Sequence, residues 1–240
     1  MGDGGRRARL RHRTIAEIKL HARRQLAEKG VAQISLRAIA RQMGLSSPAL
    51  YHYFSNYEAL ITALIVDASA AAAGALQSGQ QGTAPAHYRT RLYRQAHAYR
   101  DWACANPHEY LLISGTPIPG YHAHAEKIGP SPDRPPRAFL SLLLEAQSAG
   151  CLDLPEVPAG KGGQLALLQA RWQEAGGIVA SIPLIYLALA GWTLLRGLLE
   201  AELYGSDPAV MAELFDLELV SYLQRLGISD AAEPGREAGE

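Results

Sequence analysis

Cysteine is scarce in this 240-residue chain, which contains only Cys104 and Cys151. Two cysteines outside any CxxC pair exclude a disulfide scaffold. Such sparse usage is typical of the reducing cytoplasm, where we expect the protein to act. Glycine and proline make up about 15% of the residues, which is too few for a chain that is disordered throughout. The composition therefore predicts a globular protein with a sizeable core.

Signatures of catalysis and of bound cofactors are also missing. The sequence has no GxSxG elbow, and residues 160–163, GKGG, lack the spaced first glycine and the final Ser or Thr of a phosphate-binding loop. His122, His124 and Glu126 could ligate a metal, but a closed zinc site would need a fourth ligand. We therefore expect no enzyme activity and no cofactor. We also expect no metal site, and metal binding by the histidine pair is the alternative that remains.

A net charge of zero conceals an uneven distribution. Residues 1–56 carry eleven Lys or Arg and three acidic residues, a net charge of +8, and the remainder carries −8. A basic segment on an acidic body indicates a polyanionic partner. The alternative is a basic face that is merely solvated.

One long stretch, Ala175 to Leu195, contains no charged residue over 21 positions and could cross a bilayer by its length. Gly176, Gly177 and Pro183 interrupt it, and no basic cluster flanks it. A helix buried in a bundle or a dimer core has the same composition, and we favour that interpretation. The Arg-rich N-terminus has no apolar segment behind it, so we expect neither a secretory signal nor a membrane partner.

Apolar residues recur with a helical period almost everywhere, without a strand pattern or an internal repeat. The sequence therefore predicts an all-α protein. Start and stop signals place its helices at about 14–29, 35–43, 47–54, 55–76, 88–105, 109–114, 137–149, 164–175, 181–204 and 208–226. The first is expected to begin at a capping box of Thr14 and Glu17, the third at Ser47, and the fourth at Ser55.

These helices divide the chain into three parts. Residues 1–56 are predicted to form an arm and a three-helix head, residues 57–227 a helical body, and residues 228–240 a disordered tail. The proline-rich stretch from Thr116 to Pro136 is predicted to be a long connection within the body, and connections of that length tend to be functional or mobile.

The second and third helices are short and are joined by a tight turn at Gly44 and Leu45. This is the plan of a helix-turn-helix, whose second short helix enters the major groove of DNA. Leu50 and Phe54 are spaced to face the core, so the rings between them are left to face outward or sideways. The sequence therefore predicts a DNA-binding head.

Residues 35–64, SLRAIARQMGLSSPALYHYFSNYEALITAL, resemble the DNA-binding head of the tetracycline-repressor (TetR/AcrR) family. The likeness rests on Ala40, Gly44-Leu45, Leu50-Tyr51-x-Tyr53-Phe54 and Glu58-Ala59-Leu60, and it extends over about residues 12–66. It implies a homodimeric transcription regulator, usually a repressor, that binds a palindromic operator in double-stranded DNA. It also implies that the helical body mediates dimerisation and binds a small-molecule effector, which releases the DNA.

The resemblance also implies which residues contact DNA. The expected contact residues are Ser35, Arg37, Ser46, Ser47, Pro48, Ala49, Tyr51, His52, Tyr53 and Tyr57. Tyr57 stands where the family often has Lys, so a hydroxyl that can still donate to phosphate replaces a charge. Arg6 to Arg13 would compensate as a basic arm.

Residues 191–205, GWTLLRGLLEAELYG, are similar to the Trp-His-Gly C-terminal domain of some family members. Trp192 and Gly197 match that pattern, but Arg196 stands where the histidine would be. An arginine in a run of leucines must be paired if it is buried, and Glu200 or Glu145 could pair with it.

Aromatic residues of the body are candidates for an effector pocket, because ligand pockets are mostly apolar with a few polar groups. The expected ligand-binding residues are Tyr99, Trp102, Tyr110, Tyr121, Tyr186 and Trp192, and plain core packing is the alternative for each of them. A helical small-molecule-binding protein or enzyme with an incidental helix-turn-helix is the alternative function. A further alternative is a DNA-binding dimer that has a protein trigger or no trigger.

Overall fold

Helices make up most of the computed structural model, which describes residues 3–114, 118, 121, 134–158, 160–176, 178–205 and 207–228. Within these residues there is no β-strand, so the all-α prediction is confirmed. The helices are α1 (Asp3–Lys29), α2 (Leu36–Gln42), α3 (Ser47–Tyr51), α4 (Tyr57–Ser78), α5 (Tyr88–Ala105), α6 (Pro107–Ile113), α7 (Arg134–Ser148), α8 (Gly163–Gly176), α9 (Ile182–Tyr204) and α10 (Pro208–Arg225). A single 3₁₀ turn, Val31–Gln33, follows α1.

Helix α1 begins much earlier than the sequence predicts. It already runs from Asp3, so Thr14 and Glu17 form no capping box, and the Thr14 hydroxyl instead donates to the Leu10 carbonyl at 3.1 Å. The stretch before Thr14 is rich in arginine, which favours helix, and contains no proline that would stop it. A capping pattern inside such a stretch does not start a new helix.

The caps of the next helices are partly those expected. Ser35 caps α2 by accepting from a backbone N–H three residues on, which confirms the prediction. Helix α3 is capped by Ser46 and not by Ser47, and at α4 the Asn56 side chain accepts from the N–H three residues on in place of Ser55. In both cases the capping oxygen lies one residue from the predicted one, because a second polar residue adjoins it.

The first of two compact units combines two separate parts of the chain, Met1–Ala70 and Asn106–Pro132. Its core includes Ile18 of α1, Ile39 of α2, Leu50 of α3 and Leu60 of α4, and Leu112 of α6 joins the same cluster. This unit takes in the first part of α4 and all of α6 in addition to the predicted head. We call it the head unit.

The second compact unit, the body unit, combines Ala71–Ala105 and Asp133–Glu240. Helix α9 lies at its centre and contacts α5, α7, α8 and α10. Gly191 of α9 lies directly against Tyr222 of α10, where a Cβ would overlap the phenol ring. The Tyr222 hydroxyl donates to the Leu187 carbonyl at 2.9 Å. The glycine therefore permits a close approach of α9 and α10.

The uncharged run from Ala175 to Leu195 does not form one helix, because α8 ends at Gly176 and α9 begins at Ile182. By length and composition alone, α4 and α9 could each cross a membrane. Both also bury large apolar side chains against other helices, as Leu64 and Leu199 do. A core helix of a packed bundle passes the same test of composition.

Most of the predicted connection from Thr116 to Pro136 lies outside the described residues, as does the predicted tail after its first residue, Ile228, which is buried. Helix α7 begins at Arg134, three residues before its predicted start. Helices α5 and α9 match their predicted extents to within one residue.

Candidate nucleic-acid interface

The turn between α2 and α3 sets the direction of the third helix. Gly44 has a φ of +66°, a left-handed conformation that a side chain would strain. The Leu45 N–H then donates to the Ala40 carbonyl at 2.9 Å and closes the end of α2. Gln25 of α1, which is buried, accepts from the Ser35 N–H at 2.8 Å. Helix α1 therefore fixes the start of α2 through a side chain that we did not predict.

Gln25 could have been recognised in the sequence. It lies seven residues after Ile18, on the apolar face that α1 turns to the core. A polar residue on such a face must find a hydrogen-bond partner when it is buried. Its partner here is the backbone of the residue that caps α2.

Helix α3 presents a small, mostly polar surface beside this turn. Leu50 and Phe54 are buried, as predicted from their spacing. Among the predicted DNA contacts, the exposed residues are Ser35, Arg37, Ser46, Pro48, Tyr51 and His52, and the half-buried residues are Ser47, Ala49, Tyr53 and Tyr57. Tyr51 is 42% exposed, which fits a residue that is expected to contact a phosphate.

Tyr57, one of the predicted DNA contacts, forms an internal hydrogen bond in the head unit. Its hydroxyl donates to the Val31 carbonyl at 2.8 Å, and burial raises its pKa. A phenol has one proton to donate. That proton is used inside the head unit, so donation to a phosphate would require this hydrogen bond to open, and the expected DNA contact of Tyr57 stays a prediction. The residue ties α4 to the turn after α1.

Cations of the head unit fall into two groups. Lys19 and Arg23 are paired internally, both with Asp67 of α4 at 2.8 Å, and Arg23 also with Glu109 of α6 at 2.8 Å. By contrast, Arg37 and Arg41 on α2 are exposed and form no ion pair with any residue in the described part of the chain. The positive potential of the head unit is therefore left uncompensated beside α3.

The predicted arm is a helical continuation of α1. Arg11 lies with its guanidinium carbon 5.3 Å from the centre of the Tyr53 ring, which is cation–π geometry. Its Nη2 also lies 3.5 Å from the His52 carbonyl, at the end of α3. These contacts join the N-terminal part of α1 to the candidate recognition helix.

The six predicted ligand-binding aromatics are not gathered into one site. Tyr99, Trp102 and Trp192 form a ring cluster in the body unit, with centroids 6.0 Å apart for Tyr99 and Trp102 and 5.1 Å apart for Tyr99 and Trp192. Tyr110 and Tyr121 belong to the head unit. Tyr110 is fully buried there, and the Tyr121 hydroxyl lies 3.0 Å from that of Thr62.

Tyr186 is exposed and lines a cavity of about 410 Å³ in the body unit. The cavity is also lined by Pro158, Lys161, Gly162 and Leu165, so the GKGG stretch borders a concave surface. A smaller cavity of about 100 Å³ in the head unit is lined by apolar residues of α1 and α6 and by His108. Neither cavity was predicted, because each is formed by residues that are distant in sequence.

Two basic side chains of the body unit lie beside carboxylates. Arg196 pairs with Glu200 at 3.2 Å, as predicted. His97 on α5 packs against the rings of Tyr93 and Phe215, and its Nε2 lies 3.2 Å from the Asp216 carboxylate. Burial lowers the pKa of His97, and the nearby Asp216 carboxylate opposes that shift in part.

The predicted metal candidates His122, His124 and Glu126 lie outside the described residues. Within the residues that are described, no group of three or more His, Cys, Asp or Glu side chains is placed to hold a metal ion.

A short exposed helix that follows a tight glycine turn, with Arg37 and Arg41 beside it and a helical body after it, is the architecture of a DNA-binding transcription regulator. Comparison with known families agrees with this class. Residues 21–64 match the model for bacterial regulatory proteins of the tetR family, and residues 92–222 match the tetracyclin repressor-like C-terminal domain. The chain belongs to the tetR family of transcription regulators.

Individual relatives support the same assignment. The HTH-type transcriptional regulator Rv1816 of Mycobacterium tuberculosis is 34% identical over 152 residues, which are 63% of this chain and 65% of that protein. The alignment therefore spans slightly less than two thirds of that relative. The crystal structure of SCO4313, a protein assigned as regulatory, superposes with a TM-score of 0.70 at 33% identity and covers 90% of this chain and 98% of that one.

A Rhodococcus sp. RHA1 protein of unknown function shares the fold, with a TM-score of 0.67 at 21% identity. That match covers 89% of this chain and 95% of the Rhodococcus chain.

Proposed function

We propose that this regulator is a ligand-responsive repressor, acts in the cytoplasm as a homodimer, and binds a palindromic operator in double-stranded DNA. The observation that carries the DNA-binding part is the exposed surface of α3 beside Arg37 and Arg41, which lack internal partners among the described residues. Arginine beside an exposed recognition helix suits both base edges and phosphates. The protein acts by binding, without catalysis and without a cofactor.

An exposed apolar stripe supports the homodimer. Val210, Leu214 and Leu217 of α10 are exposed and recur at the spacing of one helix face, and Leu217 is 62% exposed. Paired with the same stripe of a second copy, these side chains would leave water. A two-fold axis then presents two heads to an inverted repeat. Leu217→Glu is expected to give monomers in sedimentation. A charge at Leu198 would not test the interface, because Leu198 is buried within the protomer.

The ligand response is proposed for the body unit, with a mainly apolar small molecule as effector. Its supporting feature is the cluster of Tyr99, Trp102 and Trp192, which combines apolar rings with polar tips. Helix α4 contributes residues to both compact units, so a ligand that displaces it would alter the head. A 100-fold preference for the DNA-incompetent state corresponds to about 2.7 kcal/mol, and DNA must weaken ligand binding by the same factor. A ligand that raises the melting temperature but leaves operator affinity unchanged would contradict this response.

Selection of operator DNA from a random library, followed by a salt titration, tests the DNA-binding proposal. We expect an inverted repeat and, for about eight neutralised phosphates, a slope of log K against log salt of about −7. Arg37→Ala should relax base preference at one position of each half-site. Arg171→Ala is the control, because Arg171 is exposed in the body unit. A slope near zero, or no enriched sequence, would overturn the proposal.

A further inference from the structure

The first eleven described residues of α1 extend beyond the core of the head unit. The first core contacts of α1 are made by Ile15 and Ile18, and residues 5–13 are all exposed, including Leu10. At 1.5 Å per residue, the segment from residue 3 to residue 13 is about 16 Å long. We call it the α1 extension. It is longer than the packing of α1 against α2 and α4 requires.

Four arginines of the α1 extension lie on two of its faces. Arg7 and Arg11 are four residues apart and share one face, and Arg11 uses it to contact the end of α3. Arg9 and Arg13 are also four residues apart and share the opposite face, which is rotated by roughly half a turn. The contact of Arg11 fixes the extension beside the recognition helix, and Arg9 and Arg13 then point away from it.

The charges on this second face oppose the stability of the helix. Arg9 and Arg13 form no ion pair with any residue that the structure describes. Like charges four residues apart destabilise a helix, and cations near its N-terminus are repelled by the helix dipole. Gly4 and Gly5 add poor helix formers at the same end. Arginine favours helix, but helix propensity gives no reason to place like charges four residues apart on one face, whereas a polyanion beside them would remove the repulsion.

We propose that the α1 extension is a second DNA-contacting element, which lies along the backbone that flanks each half-site and holds phosphates with Arg9 and Arg13. The proposal rests on the proposed DNA-binding function. The two arginines are about 6 Å apart along the helix, so their long side chains can reach neighbouring phosphates of one DNA strand. Such contacts raise affinity and set the register of the head without reading sequence.

The test compares two duplexes that carry the selected operator. One ends at the outer edges of the two half-sites, and the other continues for about ten base pairs of arbitrary sequence on each side. The double variant Arg9→Gln/Arg13→Gln is compared with Arg134→Gln/Arg171→Gln, which removes the same charge from exposed positions of the body unit. Binding is followed by fluorescence anisotropy over a range of salt concentrations, and melting temperatures are measured in parallel.

We expect the Arg9→Gln/Arg13→Gln variant to bind the extended duplex at least about tenfold more weakly than wild type. Its slope of log K against log salt should become less negative by about 3.6, which corresponds to two phosphates for each of two protomers. On the short duplex the loss should be much smaller. The control variant should match wild type on both duplexes, and neither variant should melt at a lower temperature.

Three results would overturn the inference while leaving the DNA-binding function intact. These are an unchanged affinity and slope on the extended duplex, an equal loss on both duplexes, or an equal loss with the control variant. Unchanged DNA binding together with lost binding to phosphatidylserine vesicles would assign the α1 extension to a membrane surface and would also overturn it. Failure of the wild-type protein to enrich any DNA sequence would instead overturn the proposed function.

Discussion

Two pairs of arginines, one in each compact unit, have contrasting surroundings. In the body unit, Arg91 and Arg100 join helices by pairing with Glu145 and Glu202 at 2.7 and 2.6 Å. In the head unit, Arg37 and Arg41 extend into solvent without an acidic partner among the described residues. Paired arginines hold elements of the fold together, whereas unpaired ones only raise the local positive potential. Exposed Arg171 of the body unit also forms no ion pair among the described residues, so unpaired arginine indicates a candidate binding surface only where it clusters beside an exposed helix such as α3.

The head unit itself contains both cations that are ion-paired and cations that form no ion pair among the described residues. Lys19 and Arg23 meet Asp67, and Arg23 also meets Glu109 of α6. These pairs hold α1 against α4 and α6. Among the described residues, Arg37 and Arg41 of α2 and Arg9 and Arg13 of the α1 extension are exposed and form no ion pair. The division therefore separates cations that stabilise the unit from cations available to DNA.

The largest expected effect comes from breaking the paired arrangement in the body unit. Glu202→Gln removes the negative charge beside Arg100, and Glu202 is only 8% exposed. Removing one partner of a buried ion pair leaves an uncompensated charge, so we expect a loss of about 3 kcal/mol in the free energy of unfolding. Urea denaturation followed by circular dichroism measures the change.

The matched control is Glu200→Gln, two residues earlier on the same helix. Glu200 pairs with Arg196 in a more exposed position, so its loss should cost less than about 0.5 kcal/mol. Equal losses in the free energy of unfolding for the two variants would show that burial does not make the Arg100–Glu202 pair more costly to break than an exposed pair.

A smaller effect of opposite sign is expected for the unpaired cations of the head unit. Arg37→Gln/Arg41→Gln removes two like charges four residues apart on α2 and should leave the free energy of unfolding unchanged or raise it by up to about 0.5 kcal/mol. The same variant should lose operator affinity. A loss of more than about 1 kcal/mol in urea denaturation would mean that these arginines have internal partners and that the comparison is wrong.

The smallest effect concerns the pH dependence of stability near His97. Burial lowers the pKa of this histidine below its ordinary value of 6.5, so the folded protein favours the neutral ring. The contribution to stability is complete above pH 6.5 and is lost as the pH falls below it. The fall in melting temperature from pH 7.5 to pH 5.5 should therefore be smaller in His97→Gln than in wild type. His12→Gln, at an exposed position of α1, should retain the wild-type fall.

The helices of the body could be predicted from periodicity because each apolar face is local in sequence. Helix α5 is predicted at its observed bounds, and Ser181 correctly marks the start of α9. The start of α1 could not be predicted in this way. The capping pattern at Thr14 does not start a helix, because the residues before it are already helical. The sequence could not decide between Ser46 and Ser47 as the cap of α3. Backbone geometry decides it, because the Ser46 hydroxyl oxygen is the one that accepts from the Ala49 N–H.

The candidate DNA surface could be predicted largely from the sequence, because its turn and its exposed residues are consecutive. Two of its features depend on distant residues and could not. The hydroxyl of Tyr57 is occupied by the Val31 carbonyl, and Arg11 contacts the end of α3. The role of α6 was also beyond local patterns, because Leu112 and Glu109 meet α1 only after the chain has left the head unit and returned to it.

That return of the chain has a consequence for how the protein can be dissected. The head unit is discontinuous, since Asn106–Pro132 completes what Met1–Ala70 begins. A fragment that stops at residue 70 would expose the apolar surface that Leu112 covers. It would also lack Glu109, which pairs with Arg23. A chimera that joins this head unit to the body unit of another regulator would therefore have to keep both segments of the head unit, and would need junctions at the ends of each. A single-cut chimera would carry an incomplete head even where its DNA-reading residues are all present.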